Sequence, residues 1–420
     1  MACISPRQLL ADPIDVARAK QIAARFTTNN QQPEPVTGGV AAKRTTSSGQ
    51  APLYIFDRGN EQGFVIISGD DCMPPVLGYT ESGHYDPQLL PPTLNAWIES
   101  YGAMITTAQE AGVNTYQQPL AAAGKEDVAP LVTAHWSQGA PYNNLCPMLS
   151  DGSGRSITGC VATAAAQIVY YWRNSCPRRT QYNTPTYGYG AAPVTESIPA
   201  GTPLMWELML DRYSGSTPAK FNTAVATLMS VIGTSTWLTY GSSTSGQISN
   251  LVDPLNRQFF LSSVCHYKSG YSQSAWEDMI YSDLSKGWPI VYSGVSESQG
   301  GHAVVVDGYR AADNLFHFNF GWGGSGDGYF TVNDANGMNG FNGSQGMTHC
   351  IHPRECKLTA TVQPISFSSR MSNEIEVRVT NNGGNDYKGI YFFASRATGA
   401  PTDISKANSS DLTTIILPAI

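Results

Sequence analysis

The chain has 420 residues, enough for two or three domains, and its 41% hydrophobic content is ordinary for a soluble globular protein. Its formal charge is −7 with no basic stripe, which excludes binding to nucleic acid through phosphate neutralisation. No stretch approaches the roughly 18 consecutive apolar residues that a membrane-spanning helix needs.

The first residues, "MACISPRQLLADPIDVARAKQ", lack the apolar core of a signal peptide. Either such a signal has been removed or export does not use that route. Residues 13–26 have helical spacing, with Val16, Ala19, Ile22, Ala23 and Phe26 on one face. Residues 29–50 are rich in Asn, Gln, Pro, Gly, Thr and Ser and read as a loop. "PLYIFDRG" and "GFVIISGDD" are β-rich runs separated by Gly and charge, which predicts a hairpin. "PTLNAWIESYGAMITTAQEAG" returns to helical spacing, with Leu94, Trp97, Ile98, Tyr101 and Ile105 together. Residues 112–128 offer no packing face and read as an exposed linker open to proteolysis, with Lys125 its one cation.

A larger segment follows. A helix is expected behind Cys160 and another over 218–232, and then the texture turns β-rich in "PIVYSGV", "GHAVVVDGYR", "LFHFNFGW" and "GYFTVND". Helices first and strands later predict an α+β domain whose two halves meet at a cleft. After about Cys356, "KLTATVQPISFSS" and "NEIEVRVTNNGG" alternate like sandwich strands, and the chain ends on the apolar run "TTIILPAI". The expected domains are residues 1–125, 126–353 and 354–420, the last a partial β-sandwich.

Eight cysteines are scattered at wide, irregular spacing, unlike a small disulfide scaffold, and no pairing is assigned. Cys160, in "GCVATAAAQIVYYW", could be a small buried hydrophobe, half of a disulfide, a metal ligand or a nucleophile. At a helix start its thiolate would be favoured by the helix dipole and by unpaired N–H groups. A nucleophile needs a base. His302 lies 142 residues downstream, after two glycines and at the head of an apolar strand. The bland alternative is a packed cysteine and an ordinary strand-end histidine. Gln138 upstream supplies an amide for an oxyanion, and Asn319 and Trp322 follow the histidine. Amide, Cys, His, Asn and Trp in this order is the papain-like order.

Two rival motifs are weaker. "GWGGSGDG" could cradle phosphate, but the "YFTV" behind it is a strand, so no helix N-terminus faces an anion. "HCIHPREC" gathers His349, Cys350, His352 and Cys356, yet its spacing fits no ordinary structural zinc pattern and reads more simply as a strand and linker. His317 and Trp172 are expected to be packing residues. No metal or cofactor is assigned.

With these residues in place the chain resembles the streptopain family of secreted bacterial cysteine proteases. The resemblance is carried by "HWSQGAPYN", "TGCVATAAAQI", "TYGSSTSG", "GGHAVVVDGY", "FNFGWGGSGDGYF" and "NGFNGSQ", and upstream by "GFVIISGDDCMPPVLGYTESGHYDP…WIESY", which is similar to the family's pro-domain. It covers residues 50 to 353. It implies a papain-like two-subdomain fold, Cys160 as nucleophile, His302 as base and acid, and Gln138 with the Cys160 N–H as oxyanion donors. It further implies Trp322 shielding the histidine, Asn319 orienting the imidazole by analogy with papain, and Ser243 and Gly301 contacting substrate backbone. The family has a second Trp where this chain has Phe320. The implied partners are protein or peptide substrates and the chain's own pro-domain as an intramolecular inhibitor, released by a cut within 112–128 near Lys125. Extracellular action and a preference for an apolar side chain at the second residue before the cut are implied in the same way. Two other readings use the same residues: a degenerate protease scaffold serving cell-surface adhesion, and a Cys–His acyltransferase.

Overall fold

The structure, a computed structural model, describes residues 13–27, 35–36, 51–111, 124–296, 300–333 and 345–354, and strands at 358–362, 377–381, 390–393 and 412–415. It divides into two compact units, Met1–His352 and Pro353–Ile420. The loop anticipated over 29–50 falls almost entirely outside the described residues.

Helix α1 (Val16–Ala23) is capped by Asp15, whose carboxylate accepts the Arg18 N–H at 2.8 Å. Ala19, Ile22, Ala23 and Phe26 are buried as the spacing requires, but Val16 in the first turn is 43% exposed. Strands β1 (Leu53–Asp57) and β2 (Phe64–Ser68) form the expected antiparallel hairpin, and β3 (Val76–Thr80) extends it. Helix α2 (Pro92–Ala111) buries Leu94, Trp97, Ile98, Tyr101 and Ile105, the face read from its periodicity.

The following segment contributes α3 (Cys160–Tyr171), α4 (Ala219–Ser235), α5 (Val252–Arg257), β4 (Leu261–Tyr267) and α6 (Gln273–Leu284). Then come β5 (Ile290–Ser296), β6 (Gly300–Arg310), β7 (Leu315–Asn319), β8 (Gly328–Phe330) and β9 (Gly346–Pro353). All nine strands lie in one sheet, ordered β1-β2-β3-β8-β7-β6-β5-β9-β4. The junction is antiparallel pairing of β3 with β8, with Tyr79 opposite Tyr329. The N-terminal segment therefore adds its edge to the sheet of the larger segment instead of standing as a separate domain.

Strand alternation sorts the core. On β6, Ala303 and Val305 face a cluster built with α3 and α4, while Val304 and Val306 face a second cluster containing Trp97, Tyr101, Tyr292 and Phe318. Trp97 meets the Phe318 ring at 5.0 Å and the Tyr292 ring at 6.4 Å, and Tyr101 donates its hydroxyl to the Thr331 carbonyl at 2.7 Å. Burial of each such ring is worth about 1.5–3 kcal/mol, so α2 holds the N-terminal segment on the sheet by shared core.

The segment expected to be a bare linker is docked at its end. The Lys125 ammonium pairs with Asp278 at 2.6 Å and lies over the Tyr281 and Tyr309 rings. Glu126 N–H donates to the Tyr281 hydroxyl, and Val128 exchanges backbone hydrogen bonds with Tyr309. Lys125 is thus held by charge and by aromatic faces, contrary to the reading of an exposed residue awaiting cleavage.

In the second unit, β10 (Leu358–Val362) pairs antiparallel with β11 (Val377–Asn381), and β12 (Ile390–Phe393) with β13 (Leu412–Ile415). These are the alternating runs and the terminal apolar run of the sequence.

Candidate active site

Cys160 is the first residue of α3, and Gly159 before it has φ +83°. A Cβ there would lie 2.7 Å from the Thr244 methyl, so glycine is required both for the backbone turn and for the close approach of the 241–246 loop. The helix behind is buried through Ala162, Ala164, Ala165 and Ala166, whose small side chains let it press against β6. The sequence therefore aims the N-terminus of a rigid helix, with its free N–H groups, at the surface. Cys160 itself is half-buried. Burial pushes its thiol up, and the N–H groups of Ala303, Val161 and Cys160 oppose this without cancelling it.

The Ala303 contact locates His302. It is the preceding residue, opposite Gly294 in the β5–β6 ladder, and it is half-buried beside the exposed Gly301. The head of β6 thus lies against the Cys160 sulfur. Gln138 approaches from the other side: its carbonyl accepts the Thr158 N–H at 3.1 Å, two residues before the cysteine. Ser243 is exposed next to Thr244, which packs on Gly159. Cys160, His302, Gln138, Ser243 and Gly301 are therefore gathered around one helix end. The backbone thus brings the residues that carry a thiol, an imidazole and an amide to one helix end, the groups that nucleophilic acyl transfer needs.

Trp322 is 39% exposed in the loop joining β7 to β8. That loop is pinned by Gly323 N–H on the Trp136 carbonyl at 3.0 Å and by Arg212 on the Gly323 carbonyl at 3.2 Å. The buried Asp327 adds two ties, to Phe320 N–H at 2.9 Å and to His135 Nδ1 at 3.1 Å. Where the family has a tryptophan, Phe320 is buried and packs on Phe318 and Phe330. As expected, no helix follows this glycine loop.

Asn319 departs from its expected role. Its side chain is buried, and Nδ2 donates to the Ala134 carbonyl at 2.8 Å and to Gln167 Oε1 at 3.2 Å. Its Oδ1 accepts from Gly321 N–H at 3.0 Å and from Gln167 Nε2 at 3.2 Å. All four hydrogen-bonding positions of the amide are thereby filled, and His302 is not among the partners. Asn319 joins α3 to the strand end and to the segment before Gln138. Gln167, seven residues after Cys160, was missed in the sequence. The signal was there as the one amide in an otherwise apolar helix. Replacing Asn319 by Ala would strand Gln167, the Ala134 carbonyl and the Gly321 N–H, at about 1–3 kcal/mol for each group left unpaired. The expected result is a clear loss in urea unfolding free energy, while the pH profile of the remaining activity keeps its shape. A shifted pH profile at unchanged stability would restore the imidazole-orienting role.

His317 is also more than packing. It lies between the fully buried Asp307, at 2.6 Å from Nδ1, and Glu81 of the N-terminal segment, at 3.5 Å from Nε2. Burial would lower its pKa, but the charge and hydrogen bond of Asp307, then those of Glu81, outweigh this and raise it to about 10. Trp172 does pack, with its indole N–H on the Ile351 carbonyl at 3.0 Å. The six cysteines among the described residues are free.

The chain is similar to known proteins over both its N-terminal segment and the larger segment that follows. Residues 136–330 match the model of the peptidase C10 family, and residues 11–105 match that of the Spi protease inhibitor. The chain is 32% identical over 310 residues to streptopain of Streptococcus pyogenes, covering 68% of this chain and 74% of that protein. It is 29% identical over 357 residues to the thiol protease/hemagglutinin PrtT of Porphyromonas gingivalis, spanning 77% of this chain but 39% of that longer relative. The solved structure of a prointerpain A fragment of Prevotella intermedia is similar over 77% of this chain and 99% of its own, at 30% identity and a TM-score of 0.64. That neighbour is a fragment of a pro-enzyme. The chain belongs to the peptidase C10 family, the streptopain family of cysteine peptidases.

Proposed function

We propose that the chain is a secreted cysteine endopeptidase made as a zymogen, with Cys160 as nucleophile and His302 as its proton partner. The observation that carries this reading is Cys160 at a helix N-terminus, with the backbone of Ala303, the residue after His302, close enough to its sulfur to lower the thiol pKa against burial. The Cys160 S–H bond breaks as its proton passes to His302, and the sulfur attacks a peptide carbonyl, its new C–S bond forming as the carbonyl oxygen becomes an oxyanion. The Gln138 amide and the Cys160 N–H stabilise that oxyanion. The C–N bond then breaks while protonated His302 gives its proton to the leaving amine. Water attacks the thioester with His302 as base and releases the second product. Ser243 and Gly301 line the rim for substrate backbone, and Trp322 borders the cleft.

Latency is assigned to residues 1–125. Their support for this role is the pairing of β3 with β8 and the packing of α2 on the sheet that carries His302. The activating cut is assigned to residues 112–128, and the docking of Lys125 favours a bond N-terminal to it. The preference for an apolar side chain at the second residue before the cut is carried over from the family.

Incubation of the purified chain with a thiol-directed epoxide tests the assignment by mass spectrometry. The expected result is one label on Cys160 and a block of self-cleavage. A fully folded protein that takes no label would favour a degenerate adhesion scaffold, and amine incorporation exceeding hydrolysis would favour an acyltransferase. Gln138→Ala should lower kcat by about 10²–10³ with unchanged unfolding, as expected for loss of one oxyanion donor. An unaltered kcat would remove Gln138 from the machinery.

A further inference from the structure

Outside the Cys160 cleft, the described residues contain one cluster of metal-ligating side chains: Asp283 at the end of α6, with His349 and Cys350 on β9. The sequence had grouped His349 and Cys350 with His352 and Cys356, but His352 stacks on Trp288 at 4.1 Å and Cys356 lies outside the described residues. Neighbouring residues of a strand normally point to opposite faces. Here Cys350 has φ +53°, a left-handed conformation uncommon for a residue with a side chain. Its sulfur consequently lies 3.5 Å from His349 Nδ1 and 3.8 Å from Asp283 Oδ1. His349 Nδ1 is 2.9 Å from Asp283 Oδ2. With metal bonds of about 2.3 Å to sulfur and about 2.0–2.2 Å to nitrogen and oxygen, a tetrahedral zinc has donor–donor edges of roughly 3.3–3.6 Å. The sulfur–nitrogen separation of 3.5 Å lies within that range, the sulfur–oxygen one of 3.8 Å above it and the nitrogen–oxygen one of 2.9 Å below it, so small movements would seat the ion.

The surroundings suit the same ion. His266 Nδ1 is 2.8 Å from His349 Nε2, so a metal on Nδ1 leaves the other ring nitrogen to donate its proton to an outer partner. Asp283 Oδ2 accepts the Cys350 N–H at 2.6 Å, which leaves Oδ1 turned toward the sulfur. Asp283 and His349 are buried, while Cys350 is half-buried and reachable from solvent. A thiolate and an imidazole select zinc over magnesium or calcium, which prefer oxygen donors.

We propose that Asp283, His349 and Cys350 form a zinc-binding site, separate from the Cys160 chemistry, that ties α6 to β9. Three protein donors leave the fourth position to water. Binding breaks the Cys350 S–H bond, forms an S–Zn bond and releases one proton to solvent.

The test uses the full chain carrying Cys160→Ala, so that the cleft thiol contributes nothing. Zinc titration should show one ion bound with about one proton released, and cobalt substitution should give a thiolate-to-cobalt charge-transfer band. Adding Cys350→Ser should abolish the band. Peptide mapping after iodoacetamide treatment needs no change at Cys350 itself, and zinc should slow alkylation of Cys350 at least tenfold. Absence of stoichiometric uptake by the Cys160→Ala chain, a cobalt band that survives Cys350→Ser, or equal alkylation with and without zinc would each overturn the site.

Discussion

Replacing Cys160 by Ala should reduce peptide hydrolysis to background and leave the full-length chain uncut during incubation. The substitution removes the sulfur and nothing that supports the fold. The helix behind is buried through Val161, Ala162 and Ala164 to Ala166, and its entry is set by Gly159 against Thr244. Cys160 is half-buried, and among the described residues it makes no side-chain hydrogen bond on which another element depends. The urea midpoint should therefore move little, by the few tenths of a kcal/mol typical of surface changes. The measurement pairs hydrolysis of a casein substrate with denaturant unfolding. Turnover by the folded variant would sink the assignment of the nucleophile. Persistence of cutting within residues 112–128 at high dilution would show that another protease performs the processing.

The second large effect is expected far from the cleft sulfur. His317→Ala leaves Asp307 fully buried with the Val132 N–H, at 2.8 Å, and no cation against it. Removing one partner of a buried pair costs about 3–5 kcal/mol, because the remaining charge is uncompensated. The pair also spans two parts of the chain. Glu81 reaches His317 from the turn after β3, Tyr79 stacks on Tyr329 at 5.3 Å, and Arg310 donates to the Tyr79 hydroxyl at 2.9 Å. The hydrogen bond from His317, then its charge, hold Glu81 below the usual carboxylate range, with Arg58 and His135 adding to the effect.

The pH dependence follows from the direction of each shift. His317 binds its proton more tightly when folded, so its contribution is complete below its ordinary value of 6.5 and is lost as pH rises through about 10. Glu81 contributes above its ordinary value of 4.5 and loses this as pH falls through its lowered folded value. Docking of the N-terminal segment should be strongest between these limits. Unfolding of the Cys160→Ala chain across this range should show the alkaline loss, and adding His317→Ala should remove it. A stability curve with the same alkaline limb in both proteins would exclude His317 as its source. Glu81→Gln spares the Asp307–His317 contact and should weaken docking by at most about 1 kcal/mol, since Glu81 is half-exposed.

Much of this protein was legible in the chain because local signals carry it. Periodicity marked the buried faces of α1 and α2, and alternating apolar runs marked the strands that became β5 to β8. Gly159, Cys160 and the small residues behind them announced a helix end, and the order Gln138, Cys160, His302 pointed to acyl transfer. Distance-dependent matters were not legible. Asn319 stood in the right order to orient an imidazole, yet the fold saturates it with Gln167, Ala134 and Gly321. His317 looked like packing because Asp307 and Glu81 reach it across the sheet, 10 and 236 residues away in sequence. Lys125 looked exposed because Asp278, Tyr281 and Tyr309 meet it only when α6 and β6 are in place.

The sequence by itself pointed to the N-terminal hairpin, the later apolar strands, the buried face of α2 and most of that of α1, and the candidate cysteine, since these rest on neighbours a few residues apart. The tertiary structure decided that the N-terminal hairpin joins the larger sheet, which amides and charges are already spoken for, and that Asp283 completes a cluster with His349 and Cys350. Hydrogen bonds and ion pairs act over about 3–4 Å, and which groups come that close is set by strand order and helix packing across the whole chain.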